Sequence, residues 1–183
     1  MLFAETELPG AYFIDVEPRE DERGFFARAW CREEFAKNGL EIEIAQCNLA
    51  YNHRAGTLRG MHFQSHPHAE VKLVRCTRGA VYDVVIDLRR ESSTFMHWIG
   101  VELTEENRRM VYVPEGFAHG YQTLVDGTET FYQVSQPYVP EAGMGVRWDD
   151  PAFNIEWPPV DQRIISSKDQ AWPDFTPAES LSP

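Results

Sequence analysis

The central part of the chain is a series of short strand-like segments separated by turn residues, and this spacing limits the possible fold more than any other feature. Residues Val71–Cys76 alternate in character and are followed by the turn sequence Thr77-Arg78-Gly79. The apolar runs Ala80–Leu88 and Phe95–Leu103 predict two further strands. Short strands at this spacing predict an all-β sandwich or barrel.

A hairpin signal extends the same pattern toward the C-terminus. Arg109–Val113 is predicted as a strand that stops at Pro114. His119–Val125 and Thr128–Val134 flank Asp126-Gly127, a dipeptide typical of tight hairpin turns. We therefore expect two antiparallel strands at this position.

Helix is predicted to be sparse. Arg32–Asn38, ended by Gly39, is the best candidate, and Thr104 is expected to cap one further helical turn. The region from Pro151 onward is rich in Pro and Trp and is expected to pack over the sandwich as irregular structure, with residues 176–183 as a disordered tail. The chain of 183 residues contains no repeat and no linker, so we predict one domain spanning 1–183.

The overall charge excludes several partners. A formal net charge of −12 makes nucleic acid and anionic membranes poor partners. No apolar run approaches the roughly 20 residues of a membrane span, and the N-terminus lacks the basic region of a signal peptide. Cys31, Cys47 and Cys76 form no Cys-x-x-Cys pair and are interpreted as reduced thiols. We therefore expect a cytoplasmic protein.

A histidine with cationic neighbours is the strongest chemical signal in the sequence. His62 lies between Arg59 and Lys72, in a segment predicted to belong to a sheet. Nine of the 17 Lys and Arg residues fall between Arg23 and Arg78, so this acidic protein has a local positive patch. A lone histidine on a strand is more often a hydrogen-bonded core residue, but an imidazole beside cations suits removal of an acidic C–H proton from an anionic substrate.

A metal site is the competing interpretation of the histidines. His66 and His68, with His119 farther along the chain, resemble the two halves of a metal-binding cupin motif, which would suit Fe, Mn or Zn. However, Pro67 predicts a turn between the first two rings, and Glu70 is too close to His68 for the usual spacing. A metal-dependent cupin oxygenase or isomerase therefore remains the alternative hypothesis.

Further motifs cover nearly the whole chain. They are Arg23-Gly24-Phe25-Phe26, Gln46-x-Asn48, the segment from Gly56 to Gln64, Lys72-Leu73-Val74, Asp83-x-x-x-Asp87-Leu88-Arg89, the segment from Pro114 to Gly120, Tyr132, Tyr138, Trp148-x-Asp150-Pro151 and Lys168-Asp169. Together they resemble the dTDP-4-dehydrorhamnose 3,5-epimerase family. Each motif alone would be weak, but the set is specific.

The resemblance implies a fold, a reaction and a partner. The fold would be a jelly-roll β-sandwich of the cupin type with a few short helices. The enzyme would be an isomerase that needs no metal or other cofactor and forms a homodimer, with the N-terminal segment of one subunit contributing to its partner's site. Its substrate would be a nucleotide-diphospho-4-keto-6-deoxy sugar in deoxysugar and polysaccharide biosynthesis, inverted at C3, C5 or both.

The resemblance also implies roles for individual residues. His62 would be the base, with Asp169 holding its imidazole in one tautomer. Lys72 would stabilise the enolate oxygen, and Tyr132 would return the proton on the opposite face. Arg23 and Arg59 would bind the diphosphate. Further nucleoside and sugar contacts would come from Phe26, Gln46, Asn48, His119 and Tyr138.

Two other functions share part of this residue set. A non-catalytic sugar-nucleotide binding module would need no base–acid pair, so His62, Tyr132 and Asp169 argue against it. A ketose-shifting isomerase on the same substrates would share the proton-transfer residues.

The departures from the family pattern are expected near the nucleotide. Arg28 and Gly143 replace usual acidic residues, Ala50 and Asn52 replace serines, and Glu70 replaces a common glutamine. Because two acceptors are lost and a cation is gained, we hypothesise another nucleotide, such as CDP or GDP, or a different sugar.

Overall fold

The computed structural model describes residues 1–40 and 43–177. Within these ranges the chain forms fourteen strands and two α-helices. The strands are β1 (Leu2–Glu5), β2 (Tyr12–Asp15), β3 (Arg19–Asp21), β4 (Gly24–Phe26), β5 (Gln46–Asn52), β6 (Thr57–Gln64), β7 (Lys72–Arg78), β8 (Ala80–Asp87), β9 (Trp98–Thr104), β10 (Met110–Val113), β11 (Phe117–Thr123), β12 (Thr128–Val134), β13 (Gly143–Gly145) and β14 (Ile164–Ile165). The helices are α1 (Arg32–Lys37) and α2 (Ser167–Gln170), and Pro140–Ala142 forms a 3₁₀ turn.

The described strands form two large sheets and one small hairpin. Sheet I has the order β1-β2-β10-β7-β12-β5, and sheet II has the order β13-β6-β11-β8-β9. The short strand β14 joins sheet II by pairing in parallel with β6. The strands β3 and β4 pair only with each other. The predicted all-β sandwich is confirmed.

Both faces of sheet I are covered by apolar side chains. On the inner face, Val74 of β7 and Val111 of β10 pack in the core shared with sheet II. On the outer face, Leu73 and Met110 pack with Phe35 of α1. Each of these side chains contributes roughly 1.5–3 kcal/mol when it leaves water. Because successive side chains of β7 point to opposite faces of sheet I, the strand packs against both sheet II and helix α1.

Most predicted elements occur close to their expected bounds. Thr128–Val134 is β12 without change, and α1 starts at Arg32 and is followed by Gly39 at φ +71°. The strand predicted from Phe95 starts later, at Trp98, because Met96 adopts φ 66° and the residues before it form turns. The strands β1 to β5 and β13 were not predicted.

The C-terminal region is mainly irregular, as predicted. It also contains β14 and α2, which the Pro-rich composition did not indicate. Residues 178–183 of the predicted disordered tail lie outside the described residues. Neither described helix has the length and apolar character that a membrane crossing requires.

Candidate active site

A histidine–aspartate pair joins the middle of sheet II to the C-terminal helix. His62 lies on β6 and Asp169 lies on α2, 107 residues farther along the chain. The distance from His62 Nε2 to Asp169 Oδ1 is 2.6 Å. Ser166 caps α2 by accepting the Asp169 backbone N–H at 3.1 Å. The cap fixes the short helix, and so fixes the carboxylate beside the imidazole.

The surroundings of Asp169 favour its charged form. Burial raises its pKa, but the hydrogen bond and charge of His62 lower it. Donors from Ser166 and the Gly60 backbone act in the same direction, so the pKa of Asp169 lies below its ordinary value. The carboxylate can therefore hold one imidazole tautomer and stabilise the imidazolium that forms when the ring takes a proton.

Close packing against a glycine brings α2 next to β6. Gly145 of β13 pairs with His62, and Trp172 follows α2. A Cβ atom at position 145 would lie within 2.4 Å of the Trp172 ring and 2.7 Å of the Met61 carbonyl oxygen. Only glycine leaves room for this indole, so the approach of Trp172 to β13 positions the segment that carries Asp169.

Lys72 points from sheet I toward the His62 backbone. Its Nζ donates to the His62 carbonyl oxygen at 3.0 Å and lies 3.1 Å from Glu70 Oε1. Nearby, His119 Nε2 lies 2.8 Å and 3.0 Å from the two oxygens of buried Asp83. Burial raises the pKa of Asp83, although His119 and Lys72 act in the opposite direction. A cation, an imidazole and two carboxylates thus share the interior beside His62.

Tyr132 enters the same interior from the facing sheet. It lies on β12, pairs with Asn48 of β5, and packs against the core between the sheets. Burial is the largest cause that raises the pKa of Tyr132. The charges of Tyr121 and Glu70 also raise it, and Arg59 lowers it. The phenol therefore stays protonated at neutral pH and is available as a proton donor.

Polar residues on the inner face of β5 hold two further predicted site residues. Asn52 Oδ1 accepts a hydrogen bond from Arg59 Nε at 2.8 Å. Gln46 Oε1 accepts the Tyr138 backbone N–H at 2.7 Å. Asn48 lies between these two amides on the same face of the strand. Polar side chains of β5 thus hold the Arg59 guanidinium and the backbone of Tyr138.

Arg23 and Phe26 lie apart from this group. Both belong to the β3–β4 hairpin, where the Arg23 side chain is 84% exposed and pairs with Asp21. Phe26 is 68% exposed. Within residues 1–40 and 43–177, no hydrogen bond or ion pair joins Arg23 to His62 or Lys72. One chain alone does not bring these two predicted contacts to the histidine.

The ligands of the alternative metal-site hypothesis are not assembled. His66 and His68 lie in a turn, with His66 exposed, and His119 already pairs with Asp83. Across the part of the chain that the structure describes, no three His, Cys, Asp or Glu side chains are grouped to hold a metal ion. The cluster expected under the alternative hypothesis, His66 with His68 and His119, is therefore not formed.

The arrangement suits a proton transfer between two faces of one substrate. His62 lies on sheet II with a buried carboxylate behind it, and Tyr132 lies on sheet I as a neutral phenol. Lys72 supplies a positive charge next to the histidine backbone. Such a set can remove a proton, stabilise the resulting anion and supply a proton from elsewhere.

Comparison with known proteins agrees with this chemistry. A model of the dTDP-4-dehydrorhamnose 3,5-epimerase family matches residues 5–177. The chain belongs to this family. It is 45% identical over 172 residues to the dTDP-4-dehydrorhamnose 3,5-epimerase of Methanothermobacter thermautotrophicus, covering 93% of this chain and 92% of that epimerase. The resemblance seen in the sequence is confirmed, as is the prediction of an isomerase.

Solved epimerase structures share the fold over most of the chain. The dTDP-4-dehydrorhamnose 3,5-epimerase of Bacillus anthracis, solved with TDP and PPi bound, has a TM-score of 0.91 and 38% identity, covering 95% of this chain and 99% of that chain. ChmJ, a 3′-monoepimerase from Streptomyces bikiniensis solved with dTDP-quinovose, has a TM-score of 0.86 and 32% identity, covering 94% and 86%. The predicted jelly-roll fold is confirmed by these similarities.

Two buried carboxylates of the epimerase were missed as site residues. Glu70 lies two residues before Lys72, a spacing that places both side chains on one face of an extended segment. Asp83 interrupts the apolar run of β8 and is fully buried. A charged residue inside a buried strand indicates a partner in the interior, and this signal could have identified Asp83.

Proposed function

We propose that this protein epimerises a nucleotide-diphospho-4-keto-6-deoxy sugar. His62 removes a proton from a carbon next to the ketone, and Asp169 stabilises the imidazolium that forms. Lys72 stabilises the enolate oxygen, and Tyr132 donates a proton to the opposite face of the carbon. Each acid or base group of this kind typically contributes about 10²–10⁴-fold to the rate.

The main support is the placement of the base and the acid on facing sheets. His62 belongs to sheet II, and Tyr132 belongs to sheet I and packs against the core between the sheets. A single group acting as both base and acid would mostly return the proton to the face it came from. Inversion therefore requires the second group, and Tyr132 is half-buried and protonated, as that role demands.

No metal is needed in this proposal, because Lys72 provides the positive charge that the enolate oxygen requires. Its Nζ lies 3.0 Å from the His62 carbonyl oxygen, next to the proposed base. The positive charge and the base are thus contributed by the protein itself. We also propose a cytoplasmic location, since the described cysteines Cys31, Cys47 and Cys76 are free thiols.

We propose that substrate binding is shared between two subunits of a homodimer. Arg59, Gln46, Asn48, His119 and Tyr138 would contact the substrate from the chain that carries the base. The β3–β4 hairpin would reach the partner's site and place Arg23 on the diphosphate and Phe26 against the nucleoside. The exposure of Phe26, together with exposed Leu49 and Tyr51 on the edge strand β5, supports an interface there.

We propose dTDP as the nucleotide, because the related structures from Bacillus anthracis and Streptomyces bikiniensis hold TDP and dTDP-quinovose. In the sequence, the extra positive charge of Arg28 favoured a nucleotide other than dTDP. Arg28 Nη1 lies 2.9 Å from Glu34 Oε1, so this charge is partly balanced. Calorimetric titration with dTDP, CDP and GDP tests this choice. Tighter binding of CDP or GDP would replace dTDP in the proposal.

Deuterium uptake tests the reaction. The protein is incubated in D₂O with dTDP-4-keto-6-deoxyglucose, and NMR follows the signals of C3–H and C5–H. We expect deuterium at one or both carbons, together with product of inverted configuration. Full retention of both protons over many hours, with dTDP still bound, would exclude the proposed function.

A further inference from the structure

Gln64 is a buried amide that the proposed mechanism does not use. It is the last residue of β6 and is 4% exposed. A buried amide is costly unless its donors and its acceptor are hydrogen-bonded. The groups that bond to Gln64 therefore show which part of the chain it holds.

Gln64 holds the irregular segment that carries Tyr138. Its Oε1 accepts the Val139 backbone N–H at 2.7 Å, and its Nε2 donates to the Pro137 carbonyl oxygen at 3.2 Å. Residues 137–139 belong to no helix or strand of the described chain, so their backbone groups need partners from side chains. One planar amide thus binds the backbone on both sides of Tyr138.

The other partners of Gln64 also fit an amide. Its Nε2 donates to the His68 carbonyl oxygen and to Glu70 Oε2, each at 3.0 Å. A carboxylate at position 64 would place an oxygen against these acceptors, and an apolar side chain would satisfy none of them. The second contact to the segment is weaker, because Gln46, which accepts the Tyr138 backbone N–H, is exposed and water can replace it.

The Tyr138 ring lies close to the proposed base. Gly143 pairs with Gln64, and a Cβ atom at position 143 would lie 3.3 Å from Tyr138 Oη. Two residues farther along β13, Gly145 pairs with His62. Residues two apart on a strand face the same side and are separated by about 7 Å. The ring, which belongs to an exposed residue, is therefore within reach of a sugar nucleotide bound at His62.

We propose, on the basis of the proposed function, that Gln64 is a positioning residue that fixes the Tyr138 ring for contact with the substrate. Without the Gln64 amide, the segment carrying Tyr138 would be loose and would have to be ordered when the substrate binds. Ordering a side chain on binding lowers affinity. Loss of Gln64 therefore weakens substrate binding more than it slows proton transfer.

Substitution Gln64→Met tests the proposal, because methionine is unbranched like glutamine and makes none of these hydrogen bonds. Gln122→Met is the matched control at another buried glutamine, whose Nε2 donates to the Pro158 carbonyl oxygen. We expect Gln64→Met to raise KM, and Kd for dTDP measured by calorimetry, by about 3- to 10-fold. Its kcat should stay within about threefold of wild type. Gln122→Met should keep the wild-type KM and Kd, although it also loses a buried hydrogen bond. Unchanged KM and Kd in Gln64→Met would overturn the proposal.

A double variant tests whether Gln64 acts through Tyr138. Gln64→Met is introduced into Tyr138→Ala, and Kd for dTDP is compared with that of Tyr138→Ala alone. Because Tyr138→Ala has no ring to position, the second substitution should add no further loss of affinity. The same loss in both backgrounds would show that Gln64 acts on another group, and would overturn the proposal. Should Gln64→Met fail to fold, Gln64→Asn, which keeps the amide on a shorter side chain, replaces it in every comparison.

Backbone amide exchange tests the same contact without reference to catalysis. Mass spectrometry follows hydrogen exchange in the peptide that contains Tyr138 and Val139. We expect its protection to fall by about tenfold or more in Gln64→Met and to stay at the wild-type level in Gln122→Met. Wild-type protection in Gln64→Met would overturn the proposal. If wild-type protein does not epimerise its substrate, the proposed function fails, whereas amide protection and nucleotide affinity still decide the role of Gln64.

Discussion

The two proposed proton-transfer residues are held in different ways. His62 is fixed by one hydrogen bond to a buried carboxylate on another element, whereas Tyr132 is held by partial burial against the core between the sheets. Burial also raises the pKa of the Tyr132 phenol, so it remains a proton donor well into alkaline solution. Loss of each residue should therefore affect different steps.

Substitution His62→Ala should abolish deuterium exchange from solvent into the sugar. The imidazole is the proposed base, so the variant lacks the group that accepts the proton from the carbon. Affinity for dTDP, measured by calorimetry, should stay nearly unchanged. Exchange at the wild-type rate in His62→Ala would show that another residue is the base.

Substitution Tyr132→Phe should separate exchange from inversion. The base can still remove and return a proton on its own face, so deuterium should enter the sugar while inverted product falls by about 10²-fold or more. In wild type, inversion should persist to pH values above the ordinary tyrosine range, because the raised pKa of Tyr132 keeps the phenol protonated. NMR measures both rates over a pH series. If wild-type protein lost inversion as the pH rose through neutral values, this assignment of Tyr132 would be contradicted.

Substitution Asp169→Asn should reduce stability in a pH-dependent way. The folded pKa of Asp169 is lowered, so its carboxylate stabilises the fold above the ordinary aspartate range, and this contribution is lost as the pH falls through the folded value. We expect a loss of about 1–3 kcal/mol in free energy of unfolding at pH 7. Urea unfolding should show the gap between wild type and variant shrinking toward pH 3. A gap that widens on acidification would contradict the lowered pKa.

At the scale of elements, strands with a conventional pattern could be predicted, and the strand that lines the site could not. The Asp126-Gly127 turn and the alternation around it defined β12. On β5 the pattern is reversed, since Asn48 faces the interior while Leu49 is 66% exposed. A strand that turns polar groups inward reverses the usual order, so hydrophobic alternation cannot identify it.

The same limit applies to the candidate site. His62 and Lys72 could be found from their cationic neighbourhood, because they are close in sequence. Asp169 came only from family resemblance, since it lies on a four-residue helix far along the chain. No local pattern predicts which distant segment will pack on β6.

The packing of α2 gives a prediction at this scale. Gly145→Ala should push Trp172 away from β13 and move Asp169 relative to His62. We expect kcat to fall by about tenfold or more, with a stability cost of about 1–3 kcal/mol. Deuterium exchange and thermal unfolding measure the two effects. Trp172→Phe alone should remain active, because the indole nitrogen is buried without a partner in the described chain. Wild-type exchange in Gly145→Ala would show that α2 docks independently of this contact.

For the molecule as a whole, one described chain has most of the proposed site but not the β3–β4 hairpin contacts. The hairpin carries Arg23 and Phe26 into solvent, away from His62. In a chain with a net charge of −12, exposed apolar residues on the hairpin and on β5 indicate where a second copy would pack. Each active site of the proposed dimer would then depend on both subunits.

Mixing two defective variants tests this dependence. Arg23→Ala and His62→Ala should each have low activity alone. After co-expression, the mixed dimer should contain one site with a native His62 and a native Arg23 from the partner. Activity should recover to about a quarter of wild type, since half of randomly paired dimers are mixed and each has one intact site. Light scattering measures the assembly, and absence of recovery in mixed dimers would place both residues in one subunit.

Because of the hydrogen bond between His62 and Asp169, the protein is expected to become catalytically active only late in folding. The partners of this bond are separated by 107 residues, so the bond cannot form until the C-terminal segment has docked on the assembled sandwich. A refolding chain could regain its circular dichroism signal and its dTDP affinity before it can catalyse deuterium exchange from solvent into the sugar. The delay between these signals would time the docking of the last helix.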